Sequence, residues 1–221
     1  MKDCPLQETH RVRARVQGDN GPDRKALPSF QILDRIDDNW DFSSLKNLVM
    51  EQLRFHAPDY NDINNPETYQ IAQACQLKSY FTPEYRQILL QTAETDNEVP
   101  DEWEYNSYRG GAAMIGRSID DYVKPHFRSR IAVLPPGEVL DWHIDTNTSY
   151  ACRVTIMIHG QQEFLIKRGK EVERQVMRPR EIWFNNTGYN HRVEVVGKEP
   201  RVCLLLSCHY PAIKRRVPCQ S

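Results

Sequence analysis

Pro136-Gly137-Glu138-Val139-Leu140-Asp141-Trp142-His143-Ile144-Asp145 opens on a turn and closes on a His-x-Asp pair. Proline followed by glycine punctuates the chain, and Val139 to Ile144 reads as a short strand. Side chains along a strand alternate with a period of two, so His143 and Asp145 leave the same side. A third candidate ligand, His191, lies far downstream in the run Tyr189 to Val196, and Arg201 opens the run Arg201 to Cys208. Two imidazoles and one carboxylate can take one triangular face of an octahedral metal and leave the opposite positions open. That set suits non-haem Fe(II) and oxygen chemistry. A His-x-Asp pair alone is a loose signal, and the distant His and Arg on separate strands sharpen it. The competing account is a surface Asp and two structural histidines.

Outward from this stretch, short apolar runs between turn signals continue the pattern. They are Phe127 to Leu134, Val139 to Ile144, Ala151 to Ile158, Glu163 to Lys167, Glu171 to Met177, Arg180 to Phe184, Tyr189 to Val196 and Arg201 to Cys208. Strands this closely spaced, preceded by helices, predict a mainly β fold: a double-sheet core over residues 126–210 with helices packed on one face. Residues 1–27 read as a polar N-terminal arm, 28–125 as a helical and loop support region, and 211–221 as a tail, all one globular domain. Within the support region Pro28 to Ile36 reads as a strand. Asp41 to Ser44 offers N-cap residues for a helix from Leu45 to Phe55. Further helices are expected from Pro66 to Leu77 and from Thr82-Pro83-Glu84 to about Thr92. The acidic stretch after it, with Trp103, Tyr105 and Tyr108, reads as a loop, either a substrate lid or aromatic packing beneath a loop.

The chain has 221 residues, with 39% hydrophobic and 27% charged residues, enough for one sizeable core. Its 29 basic and 30 acidic residues leave a formal charge of -1, so no global field recruits nucleic acid or an anionic membrane. Six cysteines are scattered without a CxxC pair, and Cys152 and Cys203 sit in apolar runs. This fits a reducing, cytoplasmic setting better than a disulfide framework. The N-terminus lacks an apolar signal core, and no window approaches a membrane span.

Arg201, if it faces inward, needs an anion, because an isolated buried charge is very costly. The partner is either a bound carboxylate or one of the chain's own acids. In Cys152 to Ile158, Val154, Ile156 and Ile158 form one apolar face, which sends Arg153, Thr155 and Met157 the other way. Arg153 therefore either reaches solvent at an edge or points into the site. Trp142 reads as a core residue and Asn185-Asn186 as a turn. His10, His56, His126, His159 and His209 pair with no carboxylate at ligand spacing.

Taken together, these segments resemble the Fe(II)/2-oxoglutarate oxygenases, in particular the aspartyl/asparaginyl β-hydroxylase-like branch that includes free-proline hydroxylases. The resemblance runs from Leu134-Pro135-Pro136-Gly137 through Trp142-His143-Ile144-Asp145, Cys152-Arg153, Ile182-Trp183-Phe184-Asn185-Asn186 and His191-Arg192-Val193 to Pro200-Arg201-Val202. It implies a double-stranded β-helix (jelly-roll, cupin-like) core, Fe(II) on His143, Asp145 and His191, and the distal carboxylate of the cosubstrate 2-oxoglutarate on Arg201. Arg153 and Thr155 would assist the cosubstrate or a substrate carboxylate. Two departures stand out: Asp145 occupies a ligand position where the β-hydroxylase itself has glycine, and Arg153-Val154-Thr155 replaces the family's Arg-x-His. The resemblance implies hydroxylation of a C–H bond in a small substrate, such as a free amino acid, with molecular oxygen. The alternatives are a peptidyl hydroxylase, a cupin-like metal enzyme not using 2-oxoglutarate, and a non-catalytic β-sandwich binding module.

Overall fold

The computed structural model describes residues 27–36, 40–56, 86–93, 104–108, 110–120, 122–145 and 152–208. In chain order these form β1 (Phe30–Arg35), α1 (Trp40–His56), β2 (Arg86–Leu89), β3 (Gln91–Ala93), β4 (Tyr105–Tyr108) and α2 (Ala112–Asp120). Then follow β5 (Phe127–Leu134), β6 (Val139–His143), β7 (Cys152–His159), β8 (Gln161–Arg168), β9 (Glu171–Met177), β10 (Glu181–Asn185), β11 (His191–Val196) and β12 (Arg201–Cys208).

A six-stranded sheet runs β1-β10-β7-β12-β5-β2, a four-stranded sheet runs β6-β11-β8-β9, and β3 pairs with β4. The strand pairs are antiparallel, and the core strands pass back and forth between the two large sheets, except that β8 and β9 form a hairpin within the smaller one. This is the double-sheet core expected from the strand spacing and the jelly-roll that the resemblance implied, and its eight core strands all lie where the sequence put them, within two residues. The faces follow the period of two. Val154, Ile156 and Ile158 of β7 join Val202, Leu204 and Leu206 of β12 under Leu45 and Val49 of α1 and Ile115 and Ile119 of α2. The opposite residues, Met157 and Cys203, meet Leu140, Phe164, Ile166 and Val193 of the smaller sheet. One sheet thus buries both faces, which explains why β12 is apolar almost throughout.

The support region departs from its helical reading. The expected helix ending near Thr92 is replaced, over its described part, by β2 and β3. Ile88 and Leu89 of β2 register against Ile131 and Arg130 of β5, so sheet extension overrides the proline-led helix signal. Tyr105 and Tyr108 lie in a strand and not in a loop. Helix α2 had no sequence expectation, because Gly110-Gly111 and Gly116 mask an apolar face of Ala112, Ile115 and Ile119. Gly116 is required by packing: a β-carbon there would sit 2.4 Å from the Tyr108 ring. The arm, the tail, the helix expected at Pro66 to Leu77, and Trp103 lie outside the described residues.

Candidate metal centre

β6 and β11 pair with His143 directly opposite His191, so two strands present two imidazoles side by side. Their rings lie 4.2 Å apart between centroids. Asp145, two residues past His143, brings Oδ1 to 3.8 Å from His143 Nε2. One donor atom from each of the three lies within 4.8 Å of the others, a spacing a single ion can bridge. The tautomers fit that use. His143 Nδ1 donates to the Asp141 carbonyl at 2.6 Å and His191 Nδ1 to the Tyr189 carbonyl at 2.9 Å. Both Nε2 atoms are left with lone pairs for a ligand role. Phe164 stacks on the His191 ring at 5.2 Å and 12°, holding its orientation. Burial pushes the His191 pKa down to about 4, with the Asp145 charge opposing, so the imidazole is neutral at pH 7.

Burial alone would raise the Asp145 pKa. Arg153 outweighs it, with help from His191, His143 and Arg130, and holds the carboxyl well below the usual carboxylate range. Arg153 Nε donates to Asp145 Oδ2 at 2.9 Å. Its Nη1 donates to the Ser207 hydroxyl across β12. Arg153 therefore points into the site, where its guanidinium clasps a candidate metal ligand. Thr155 also points in; its Oγ1 accepts from Asn185 Nδ2 at 2.8 Å.

Arg201 is 2% exposed and among the largest fully buried side chains. Its Nη1 donates to Cys203 Sγ at 2.8 Å, while Nε and Nη2 have no hydrogen-bond partner. No acid of the described residues pairs with it, so of the two partners open to Arg201 the internal salt bridge is absent there. A cavity of about 60 Å³ is lined by His143, Asp145 and His191, and also by Arg201, Arg153 and Thr155. Leu140, Phe164, Val193 and Leu205 supply its apolar wall. All six residues singled out in the sequence therefore meet around one space.

Sequence reading missed Arg130, Gln87, Gln162 and Thr187, which also line this cavity. Arg130 was legible in hindsight: it alternates with Ala132 and Leu134 on the inward face of β5. Two readings are corrected. Trp142 is half-buried and lies outside the core clusters, its ring under the Lys167 ammonium at 3.9 Å. Asn185 closes β10 and is fully buried, not a turn residue. His159 stays outside the cavity, 3.4 Å from Glu199. His126 is buried, its Nε2 bonded to the Tyr108 hydroxyl and its Nδ1 donating to the Val123 carbonyl at 3.2 Å.

Fold and site together define a jelly-roll protein with a candidate metal centre of two histidines and one carboxylate. Residues 113–211, just under half of the chain, match the family profile of the aspartyl/asparaginyl beta-hydroxylases. No curated protein matches the chain. Among solved structures it is similar to a mutant of Bacillus subtilis oxalate decarboxylase, with 17% identity and TM-score 0.32 over 37% of this chain and 23% of that one. An oxalate oxidase gives 18% and 0.33 over 37% and 41%. Peruvianin-I, a cysteine peptidase from Thevetia peruviana latex, gives 13% and 0.33 over 37% and 49%. The chain thus spans less than half the length of these proteins. Superposition scores this low carry no functional weight, and the fold rests on the chain's own strand order.

Proposed function

We propose that this chain is an Fe(II)- and 2-oxoglutarate-dependent hydroxylase of a small carboxylate-bearing substrate, such as a free amino acid. The observation that carries the reading is Arg201: a buried guanidinium with two unpartnered nitrogens, lining the same cavity as the triad. A carboxylate held by parallel charge-assisted hydrogen bonds is the chemistry that satisfies it. The family match over residues 113–211 supports the same reaction class.

The donor set fits Fe(II), with His143 Nε2, His191 Nε2 and one Asp145 oxygen as its holders. Bound together, Fe(II) and 2-oxoglutarate supply the oxidising power that turns a substrate C–H and O2 into C–OH, succinate and carbon dioxide. The chain's own part is positioning and exclusion. Asp141 and Tyr189 carbonyls keep both imidazoles in the ligand tautomer. Arg153 keeps Asp145 ionised and aimed. Leu140, Phe164, Val193 and Leu205 keep water off the reacting carbon. Among the described lining residues three guanidiniums, Arg130, Arg153 and Arg201, face one carboxylate, Asp145, so the cavity favours anionic occupants. The buried Cys203 thiol, which is in no disulfide, is in keeping with a reducing, cytoplasmic setting.

A succinate-release screen of the Fe(II)-loaded protein against free amino acids and short peptides tests this reading. Release stimulated by a free amino acid is expected; release by peptides alone would move the substrate to the peptidyl class. Arg201→Ala should lower 2-oxoglutarate-dependent turnover by about 100-fold or more, the loss of two charge-assisted hydrogen bonds. Turnover that survives Arg201→Ala unchanged would point to metal chemistry without 2-oxoglutarate.

A further inference from the structure

The cavity has two ends, and Arg201 occupies only one of them. Arg201 opens β12, and Ser207 is the last residue but one of that strand. Ser207 registers with Arg153, and Arg153 registers with Asn185 at the end of β10. Just beyond Asn185 comes Thr187, whose carbonyl accepts the Asp145 N–H at 3.3 Å. Thr187 thus belongs to the triad end and Arg201 to the far end. His143 and Asp145 are half-buried whereas Arg201 is fully buried, so the triad end lies nearer solvent.

Thr187 lines the cavity and is 2% exposed, and its Oγ1 has no hydrogen-bond partner among the described residues. A hydroxyl can both donate and accept, and one held away from water without either bond is costly until a ligand supplies it. Thr155, the other hydroxyl on the wall, is already bonded to Asn185 Nδ2. The local field selects which role Thr187 takes. Arg153 and Arg130 line the same space and both favour the charged form of Asp145, two guanidiniums against one carboxylate. Such a field repels an ammonium and draws in a carboxylate, so the hydroxyl donates.

We propose that Thr187 reads the carboxylate of the prime substrate, its Oγ1 donating to that group beside the triad and selecting small acids over amines that lack one. This rests on the hydroxylase reading above and concerns the end of the cavity away from Arg201. Neither strand alternation nor a motif marks Thr187, which sits in the turn between β10 and β11.

Fe(II)- and 2-oxoglutarate-loaded protein without oxygen, titrated calorimetrically with the free L-amino acids, tests the assignment. Each amino acid that binds is paired with the primary amine that lacks its carboxylate. Thr187→Val keeps the shape and removes the hydroxyl. It should weaken the amino acid about 10- to 100-fold, the loss of one hydrogen bond to a charged group. The affinity of the Fe(II) protein for 2-oxoglutarate should stay unchanged. The amine should be weak against wild type and no weaker against Thr187→Val, and Thr187→Ser should bind the amino acid as wild type does. A hydroxyl serving only the fold would lower the urea midpoint and move none of these ratios. Undiminished amino-acid affinity in Thr187→Val, an equal loss for 2-oxoglutarate, or a wild type that holds the amine as tightly as the acid overturns the proposal. Should Thr187→Val fail to fold, Thr187→Ser and Thr187→Ala, which differ by the hydroxyl alone, must show the same gap, and equal affinities reject it. If wild type binds 2-oxoglutarate and an amino acid and the Thr187 variants keep both, the proposed function stands and this inference alone falls. A wild type that binds 2-oxoglutarate but no free amino acid removes this inference and the amino-acid substrate, leaving the cosubstrate; one that binds no 2-oxoglutarate removes both.

Discussion

Asp145 is a carboxylate out of water, between two imidazoles on one side and a guanidinium on the other. Its Oδ2 is taken by Arg153 Nε and its Oδ1 faces His143, so one oxygen is aimed while the other is anchored. Partners of this kind, one step removed from the metal, fix ligand orientation and typically matter 10–100-fold for affinity. Arg153→Ala should therefore weaken Fe(II) binding by about that factor in a competition titration with a chromogenic chelator. Arg153→Lys should recover only part, since a point charge cannot reach Asp145 and Ser207 as a fork does. Undiminished affinity in Arg153→Ala would return Arg153 to a purely substrate-facing role. Sequence alternation put Arg153 on the face opposite Val154, Ile156 and Ile158 and left solvent or site open; that its guanidinium meets Asp145, which follows a different strand, is a tertiary outcome.

At the scale of elements, the turn between β7 and β8, which carries the chain from one sheet to the other, packs against the start of β12. Gly160 at its apex has φ +65°, and a β-carbon there would stand 2.3 Å from the Pro200 carbonyl oxygen. The residue after Pro200 is Arg201, so this turn and the strand start that carries the cavity's buried guanidinium are packed backbone to backbone. Gly160→Ala is expected to destabilise the fold by about 2–3 kcal/mol, through both strain and collision. A urea titration reads the loss, and an unchanged midpoint would show that the turn relaxes freely. The strands around it were legible because each carries its own alternation and ends at its own turn residues. Strand β2 was not. Its residues follow Thr82-Pro83-Glu84, a good helix start, and only the open edge of β5 makes extended backbone the better choice. Helix α2 was hidden for the opposite reason. Glycine at 116 weakens a helix on propensity, yet Tyr108 demands it.

Over the whole molecule, two buried imidazoles tie stability to pH. Burial pushes His126 down to about 4, with Asp120 opposing and Lys124 adding to the shift, and His191 is pushed to about 4 as well. Both stay neutral in the fold and would take a proton near pH 6.5 once unfolded. Between about 6.5 and about 4 the unfolded chain binds more protons, so metal-free stability rises with pH and is lost as pH falls through this window. Asp145, depressed in the fold, adds a loss at still lower pH. Urea midpoints measured from pH 7 to pH 4 should fall steadily. His126→Gln should flatten part of the slope, and a level wild-type profile would contradict the neutral assignment.

Local pattern in the sequence determined the eight core strands, the His143, Asp145 and His191 set, and Arg153 and Arg201 as candidates, while their inward turn was left open. Period-two alternation and turn residues act over a few positions, so such features are written locally. Only the tertiary structure decided that Asn185 and Trp142 leave their expected places, that β2 extends the sheet, that Arg153 and Arg201 turn inward, and that Gln162 enters the cavity. Those outcomes depend on which strand lies beside which and on what one sheet presents to the other, relations between residues far apart in the chain.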